Sequence, residues 1–304
     1  MQLGRFEMTV VPDAPFRLDG GAMFGAVPRV LWERVKPADE RHRIAMATNC
    51  LLIRSADEVV LVDTGLGDKL DAKSRALHAI PDGIPRLPDR LRSAGCELDD
   101  VTHVVLSHLH FDHCGWNTRE EGGLLLPTFP RARYWLQRDE VEHARSPDPR
   151  SAPSYDPRNF EPLFEAGVVE LFDDEATPSP GIKAVRAPGH TRGMCVVTVD
   201  GGGEGCGAVF FADLVPTAAH LPVPWVMGFD LYPVTTMEQK RDWLRRAAAG
   251  DWLCVFEHDP EVPLARLRPD DRPGRYRAEA VTTGTGADRL APVVAGVDPA
   301  HGGN

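Results

Sequence analysis

The sequence has no apolar run approaching the roughly 20 residues that span a bilayer. It has no pair of cysteines at Cys-x-x-Cys spacing and no excess of positive charge. Each absence removes a class of function. Without a long apolar segment there is no transmembrane helix to place. The six cysteines, Cys50, Cys96, Cys114, Cys195, Cys206 and Cys254, are scattered. That pattern suits neither a zinc finger nor a disulfide framework, and free thiols in a reducing compartment are expected. The net charge is -11, so nothing draws the chain electrostatically to phosphate backbones or anionic lipid. Nucleic acid and membranes are therefore poor partners. The opening MQLGRFEMTVV shows no charged leader followed by an apolar stretch and a cleavage site, so a cytoplasmic location is expected.

What is present is ordinary globular material. There are 304 residues, 42% hydrophobic and 26% charged, enough to bury a sizeable core. Alternating and apolar runs predict strands near 5–12, 44–55, 59–62, 101–107, 131–137, 168–173, 181–188, 194–200, 207–213, 252–259 and 274–281. Helices are expected at 28–34, 67–79, 85–94 and from 138. A further one is expected at 236–249, with Thr235 as N-cap, Glu238 completing a capping box and Gly250 past its end. The stretch 13–38 reads as core covering, a lid, or the subunit contact of a homodimer. Residues 145–160 are rich in proline and read as a long surface loop. From Thr283 onward, glycine, alanine and proline dominate, and a flexible tail is expected at 283–304.

The densest chemistry lies in Ser107-His108-Leu109-His110-Phe111-Asp112-His113, directly after an apolar strand. Three histidines and an aspartate within six positions are a ligand set for zinc and its first-row neighbours, not packing material. Three other strands also run into a metal-type residue: His190, Asp213 and His258. Strands in one sheet share their ends, so such residues converge in space. The remaining histidines, His42, His78, His103, His143 and His301, stand alone and are read as core or surface groups.

The series HLHFDH, PGH, FFAD and FEHD resembles the metallo-β-lactamase-fold hydrolase superfamily, from VDTG at 62–65 through His258. The resemblance implies an α/β fold, a four-layer αββα sandwich of two mixed sheets flanked by helices, in one domain over 1–282. It implies two divalent metal ions, most readily zinc, with manganese, iron or cobalt as alternatives. His108, His110 and His190 would hold the first, and Asp112, His113 and His258 the second, with Asp213 bridging. Hydroxide between two such ions is available at neutral pH, and Asp112 would also carry protons. Asp63 would orient a ligating histidine, and Thr191 would position the His190 loop. Cys114, next to a ligand position already filled, reads as a small buried hydrophobe.

Within the superfamily, the segment 212–233 and the long lead-in are most similar to the quorum-quenching lactonase and organophosphate hydrolase branch. Ester or lactone hydrolysis follows, with N-acyl-homoserine lactone as the small-molecule substrate. Alternatives are a glyoxalase II-type thioesterase, an organophosphate hydrolase, and a non-catalytic metal-binding module. Some lactonases of the branch carry a tyrosine three residues after the bridging aspartate, where this chain has Pro216. Tyr232 or His220 are the candidates to replace it. Phe24, Trp32, Trp225, Met227 and Phe229 are candidates for an apolar substrate wall.

Overall fold

The structure, a computed structural model, describes residues 1–203, 205–272 and 274–282. Two seven-stranded sheets make the frame. The first runs, edge to edge, Gln2–Leu3, Phe6–Pro12, Asn49–Arg54, Val59–Val62, His103–Val105, Arg133–Gln137 and Val169–Phe172. Its early strands pair antiparallel and its last four parallel. The second runs Glu175–Ser179, Ile182–Arg186, Cys195–Asp200, Gly207–Phe210, Leu253–Val255, Leu264–Pro269 and Tyr276–Ala280. Only Gly207–Phe210 and Leu253–Val255 pair parallel there.

Strand alternation builds the layers. Leu51, Ile53, Val60, Val62 and Val105 face the second sheet, meeting Val197, Phe210 and Val255 in one shared core. Their neighbours Cys50, Leu52, Leu61 and Val104 face the other way, onto Leu87 and Leu91 of the helix Leu87–Ser93 and Val141 of the helix Arg138–Arg145. On the far side of the second sheet, Val209, Cys254 and Phe256 pack on Trp243, Leu244 and Ala247 of the helix Pro233–Ala249. Strands buried on both faces are apolar throughout, which is why VVLV and HVVL read as continuous runs. The result is the expected four-layer order of helix, sheet, sheet, helix.

Four local departures from the sequence reading bear on the site. The run 44–55 is two strands. Arg43–Met46 pairs with Phe16–Asp19 outside the main sheets, and Asn49–Arg54 joins the first sheet. The break falls where Ala47 N–H bonds the His258 carbonyl at 3.3 Å and Thr48 Oγ1 bonds Ala14. The helix expected from about 236 begins at Pro233, so Thr235 is not its cap. Pro233 at the first position has its φ preset and no N–H to satisfy. The N–H of Tyr232 is bonded to Gly189 O at 2.8 Å, so contact with the His190 loop fixes the start. The lead-in carries a second short helix, Gly20–Phe24, besides Arg29–Trp32. The hairpin Thr118–Pro127 is too polar at its tip to signal strands. The tail expected at 283–304 lies outside the described residues.

Candidate metal centre

The strand His103–Val105 lies between two parallel neighbours, so its C-terminal end opens at the same edge as theirs. The chain leaving it, 106–113, is fixed from both sides. Asp63, at the end of the adjacent strand, adopts a left-handed φ of 55°. Its carboxylate accepts Ser107 N–H at 2.6 Å and Ser107 O–H at 2.5 Å. Gly115 and Gly67 let the two segments touch backbone to backbone. A Cβ on Gly115 would collide with the Leu66 carbonyl, and one on Gly67 with the Gly115 carbonyl. From the second sheet, Cys195 N–H bonds Ser107 O at 2.8 Å, joining the sheets at the site.

Two groups of ligand-type atoms result. One comprises His108, His110, His190 and Asp213, and the other Asp112, His113 and His258; within each group the atoms lie within 4.8 Å of one another. All seven sequence candidates are brought together and all are buried. Asp213 faces both groups, with Oδ2 3.0 Å from His190 Nε2 and Oδ1 3.0 Å from His258 Nε2.

Hydrogen-bond partners assign the tautomers. His258 Nδ1 lies 2.8 Å from Ala47 O, a carbonyl that only accepts, so the proton sits on Nδ1. His190 Nδ1 lies 3.0 Å from Asp230 Oδ1, and His113 Nδ1 lies 3.0 Å from Asp63 Oδ2. Ser107 gives its hydroxyl proton to Asp63, leaving its oxygen to accept His108 Nδ1–H at 3.0 Å. In all four histidines Nδ1 is engaged as the donor, which leaves the inward-pointing Nε2 as the ligand atom. His258 Nε2 and His113 Nε2 are 3.1 Å apart, as are His190 Nε2 and His110 Nδ1. His108 Nε2 has no hydrogen-bond partner among the described residues. Nitrogens packed this closely in a buried site need a proton or a metal cation between them. The residues present fit divalent metal ions.

The electrostatics agree. Burial, aided by the neighbouring imidazoles, drives His108 and His110 well below the usual histidine range. Burial also opposes charging His190 and His258, yet Asp213 holds them up to about 10 and about 9. Burial works against ionising Asp213, but the His190, His258 and His113 charges keep it well below the usual carboxylate range. The ions of such a site replace these protons as partners for the carboxylates.

Three supporting carboxylates escaped the sequence reading. Glu140 accepts Leu109 N–H at 3.1 Å, Thr191 O–H at 2.5 Å and Tyr155 O–H at 3.1 Å. It thus ties the 107–113 loop to the His190 loop through the expected Thr191. Asp230 holds His190 and also accepts Met227 N–H at 3.0 Å. Glu257 lies buried with Oε2 2.9 Å from His113 Nδ1. Asp230 carried a signal, as an acid set in the otherwise apolar stretch GFDLYP, and Glu257 directly precedes the ligand candidate His258.

The substrate candidates divide. Phe24 and His220 are fully buried and stacked on each other, ring centroids 4.4 Å apart, with Trp32 on the far face of Phe24 at 5.4 Å. His220 accepts Thr217 O–H at 2.8 Å and donates to Met23 O at 2.8 Å, and burial drives it down to about 3. It is a neutral, fully engaged group of the core under the lead-in. Trp225 is half-buried, edge-on to Phe24 at 5.7 Å, while Phe229 and Tyr232 are exposed. Cys114 is buried, and burial raises its thiol far above the usual range, so it serves as a small hydrophobe as expected.

This frame is shared with known proteins. The Metallo-beta-lactamase superfamily model matches residues 43–258, and the chain belongs to that superfamily. N-acyl homoserine lactonase AiiB of Agrobacterium fabrum is 38% identical over 260 residues, covering 78% of this chain and 88% of the relative. A "probable metallo-hydrolase" of Mycobacterium tuberculosis is 30% identical over 254 residues, covering 73% of this chain and 78% of its own. Among solved structures, a "probable metal-dependent hydrolase from Staphylococcus aureus" superposes with a TM-score of 0.83 at 27% identity, covering 93% of this chain and 100% of that one. No helix among the described residues is long and apolar enough to cross a membrane.

Proposed function

We propose that this metal-dependent hydrolase holds two divalent ions and cleaves an ester or lactone, with N-acyl-homoserine lactones as its substrate class. The observation that carries the proposal is the inward convergence of four histidine Nε2 atoms on Asp213. His108, His110 and His190 would hold one ion, Asp112, His113 and His258 the other, and Asp213 both. Zinc suits these donors best, and manganese, iron or cobalt are accepted by the same set. Such a pair supplies an acidified water as nucleophile and a Lewis acid for the substrate carbonyl.

The chain's own residues do the rest. Asp112, its Oδ2 3.8 Å from His258 Nε2, is placed to take the nucleophile's proton and pass it to the leaving alkoxide. Asp63 and Asp230 hold His113 and His190 in one orientation. The half-buried Trp225 and the exposed Phe229 and Tyr232 offer an apolar wall for an acyl group. The carbonyl of Pro216 accepts His258 N–H at 2.9 Å, so that position serves the cage. Tyr232, fixed beside His190 through Gly189, is the hydroxyl that remains to meet a carbonyl.

The lactone reading is supported by the 38% identity to a lactonase over most of both chains. Its test is hydrolysis of N-acyl-homoserine lactones by the zinc-loaded chain. Turnover should vanish with a chelator, return with zinc, and be lost in His110→Ala. Lactones and simple esters left intact by protein carrying two zinc ions would sink it.

A further inference from the structure

Glu257 is the one carboxylate at the centre with no assigned task. Strand alternation sets its direction. Leu253 and Val255 face the core between the sheets, Cys254 and Phe256 face the helix Pro233–Ala249, and Glu257 follows the first pair inward. The backbone allows no other placement. Glu257 O accepts Asn49 N–H at 2.8 Å, and Asn49 Nδ2 bonds the carbonyls of Phe256 at 3.0 Å and Asp259 at 2.8 Å. The carboxylate therefore arrives, fully buried, at the outer edge of the His113 ring.

Its partner there is shared. His113 Nδ1 carries one proton, and Asp63 Oδ2 receives it in line at 3.0 Å. Glu257 Oε2 comes as close, 2.9 Å, but off the N–H direction, and neither Glu257 oxygen has a hydrogen bond within the described residues. A buried carboxylate without hydrogen bonds is costly. Its position beside a single imidazole edge gives it one electrostatic role, since a cation on the inner face of that ring is the positive charge that would offset it. His190, in the other half of the cage, has one carboxylate behind it, Asp230, and His258 has a neutral carbonyl.

We propose that Glu257 is a positioning residue that acts through His113 to strengthen the second metal position, the one formed with Asp112 and His258. With an ion in that position, its charge adds to the orientation that Asp63 provides. The inference rests on the two-metal reading. Carboxylates that support a ligating histidine typically change metal affinity 10–100-fold, and the effect should be confined to one of the two positions.

The test titrates the metal-free full chain with zinc against a chromophoric chelator, resolving two binding steps, for native protein, Glu257→Gln and Glu257→Leu. Both variants are first checked by circular dichroism. The expected result is two zinc ions in the native chain, with one step lowered about 10-fold or more in each variant and the other changed less than about twofold. Cobalt substitution gives a second readout: the visible spectrum of the second ion should shift in both variants while that of the first stays. Two native zinc steps with neither altered in the variants would overturn the role of Glu257 and leave the two-metal reading standing. A native chain that binds fewer than two ions would overturn both. A third tightly bound ion lost with Glu257 would assign the carboxylate to a separate site, against the proposal. If neither variant folds, Glu257 is a framework group and the assignment fails.

Discussion

His190 and His113 hold matching places in the two halves of the cage, but the structures behind them differ. The carboxylate behind His190 is Asp230, which belongs to a loop. That loop is tied across the mouth by Arg150, which donates to the carbonyls of Gly228 and Asp230. The carboxylates behind His113 are Asp63 and Glu257, which stand at the ends of core strands of the two sheets. One half is therefore supported by the walls that would meet a substrate, and the other by the frame. Changes in the wall should reach the first half before the second.

The largest effect should come from the group that belongs to both halves. Asp213→Ala removes the carboxylate facing His190 and His258 and should lower hydrolysis about a thousandfold, the order expected when several kcal/mol of metal-assisted stabilisation is lost. Elemental analysis should then show both ions weakened. Retention of either at native affinity would mean that Asp213 does not join the halves.

Phe24→Ala disturbs the wall side first. Removing a fully buried phenyl ring from the stack with Trp32 and His220 should cost about 3–5 kcal/mol in urea unfolding. Met227 shares that apolar cluster, and Asp230 accepts its N–H. The first metal position should consequently weaken more than the second, and the reverse order would break the comparison. Asp230→Asn and Asp63→Asn draw the line more finely. Each should weaken its own position most, about 10–100-fold by competitive chelation, with a smaller loss at the first position in Asp63→Asn because Ser107 links Asp63 to His108. Equal losses at both positions would mean the cage responds as one unit.

The smallest effect concerns pH. Lys240 is buried and donates to the carbonyls of Pro222 and Trp225, at 3.1 Å and 2.6 Å, bracing the wall. Burial brings its ammonium down from 10.5 to about 7. Between those values the unfolded chain binds the extra proton. Stability should therefore rise with pH across that window, and the gain should be lost as pH falls back through about 7. Lys240→Met should flatten the melting temperature against pH over this range while leaving metal content unchanged. A slope as steep as the native one would show that another group carries it.

The parts of the molecule that could be read in the sequence are those where local pattern and tertiary role coincide. The continuous apolar runs announced strands buried on both faces, and the ligands sat at strand ends, where chain order alone brings them together. Helix starts, short strands and supporting carboxylates were hidden for a common reason. Pro233 begins its helix because Tyr232 N–H is held by Gly189, 43 residues earlier in the chain. Glu140 sits in the polar run RDEVEHA, yet it is buried and accepts a hydrogen bond from each of two distant loops. His220 looked available because a histidine in an apolar loop carries no sign that both ring nitrogens will be engaged.

The contact between Gly67 and Gly115 bears on how such an enzyme diversifies. Two backbones pressed together leave no room for even a methyl group on either glycine, so drift in the segments bearing Asp63 and the HLHFDH ligands is closed off by geometry. The lead-in, the 145–160 loop and the 222–232 loop are less tightly bound, with Gly25 against the Val226 carbonyl and Gly20 against Trp32 as positions to keep. Selection for a new substrate, in nature or in a directed library, has its freedom in those three segments. Libraries that spare the glycine seam and Asp230 should therefore yield altered specificity at a higher frequency than libraries spread evenly along the chain.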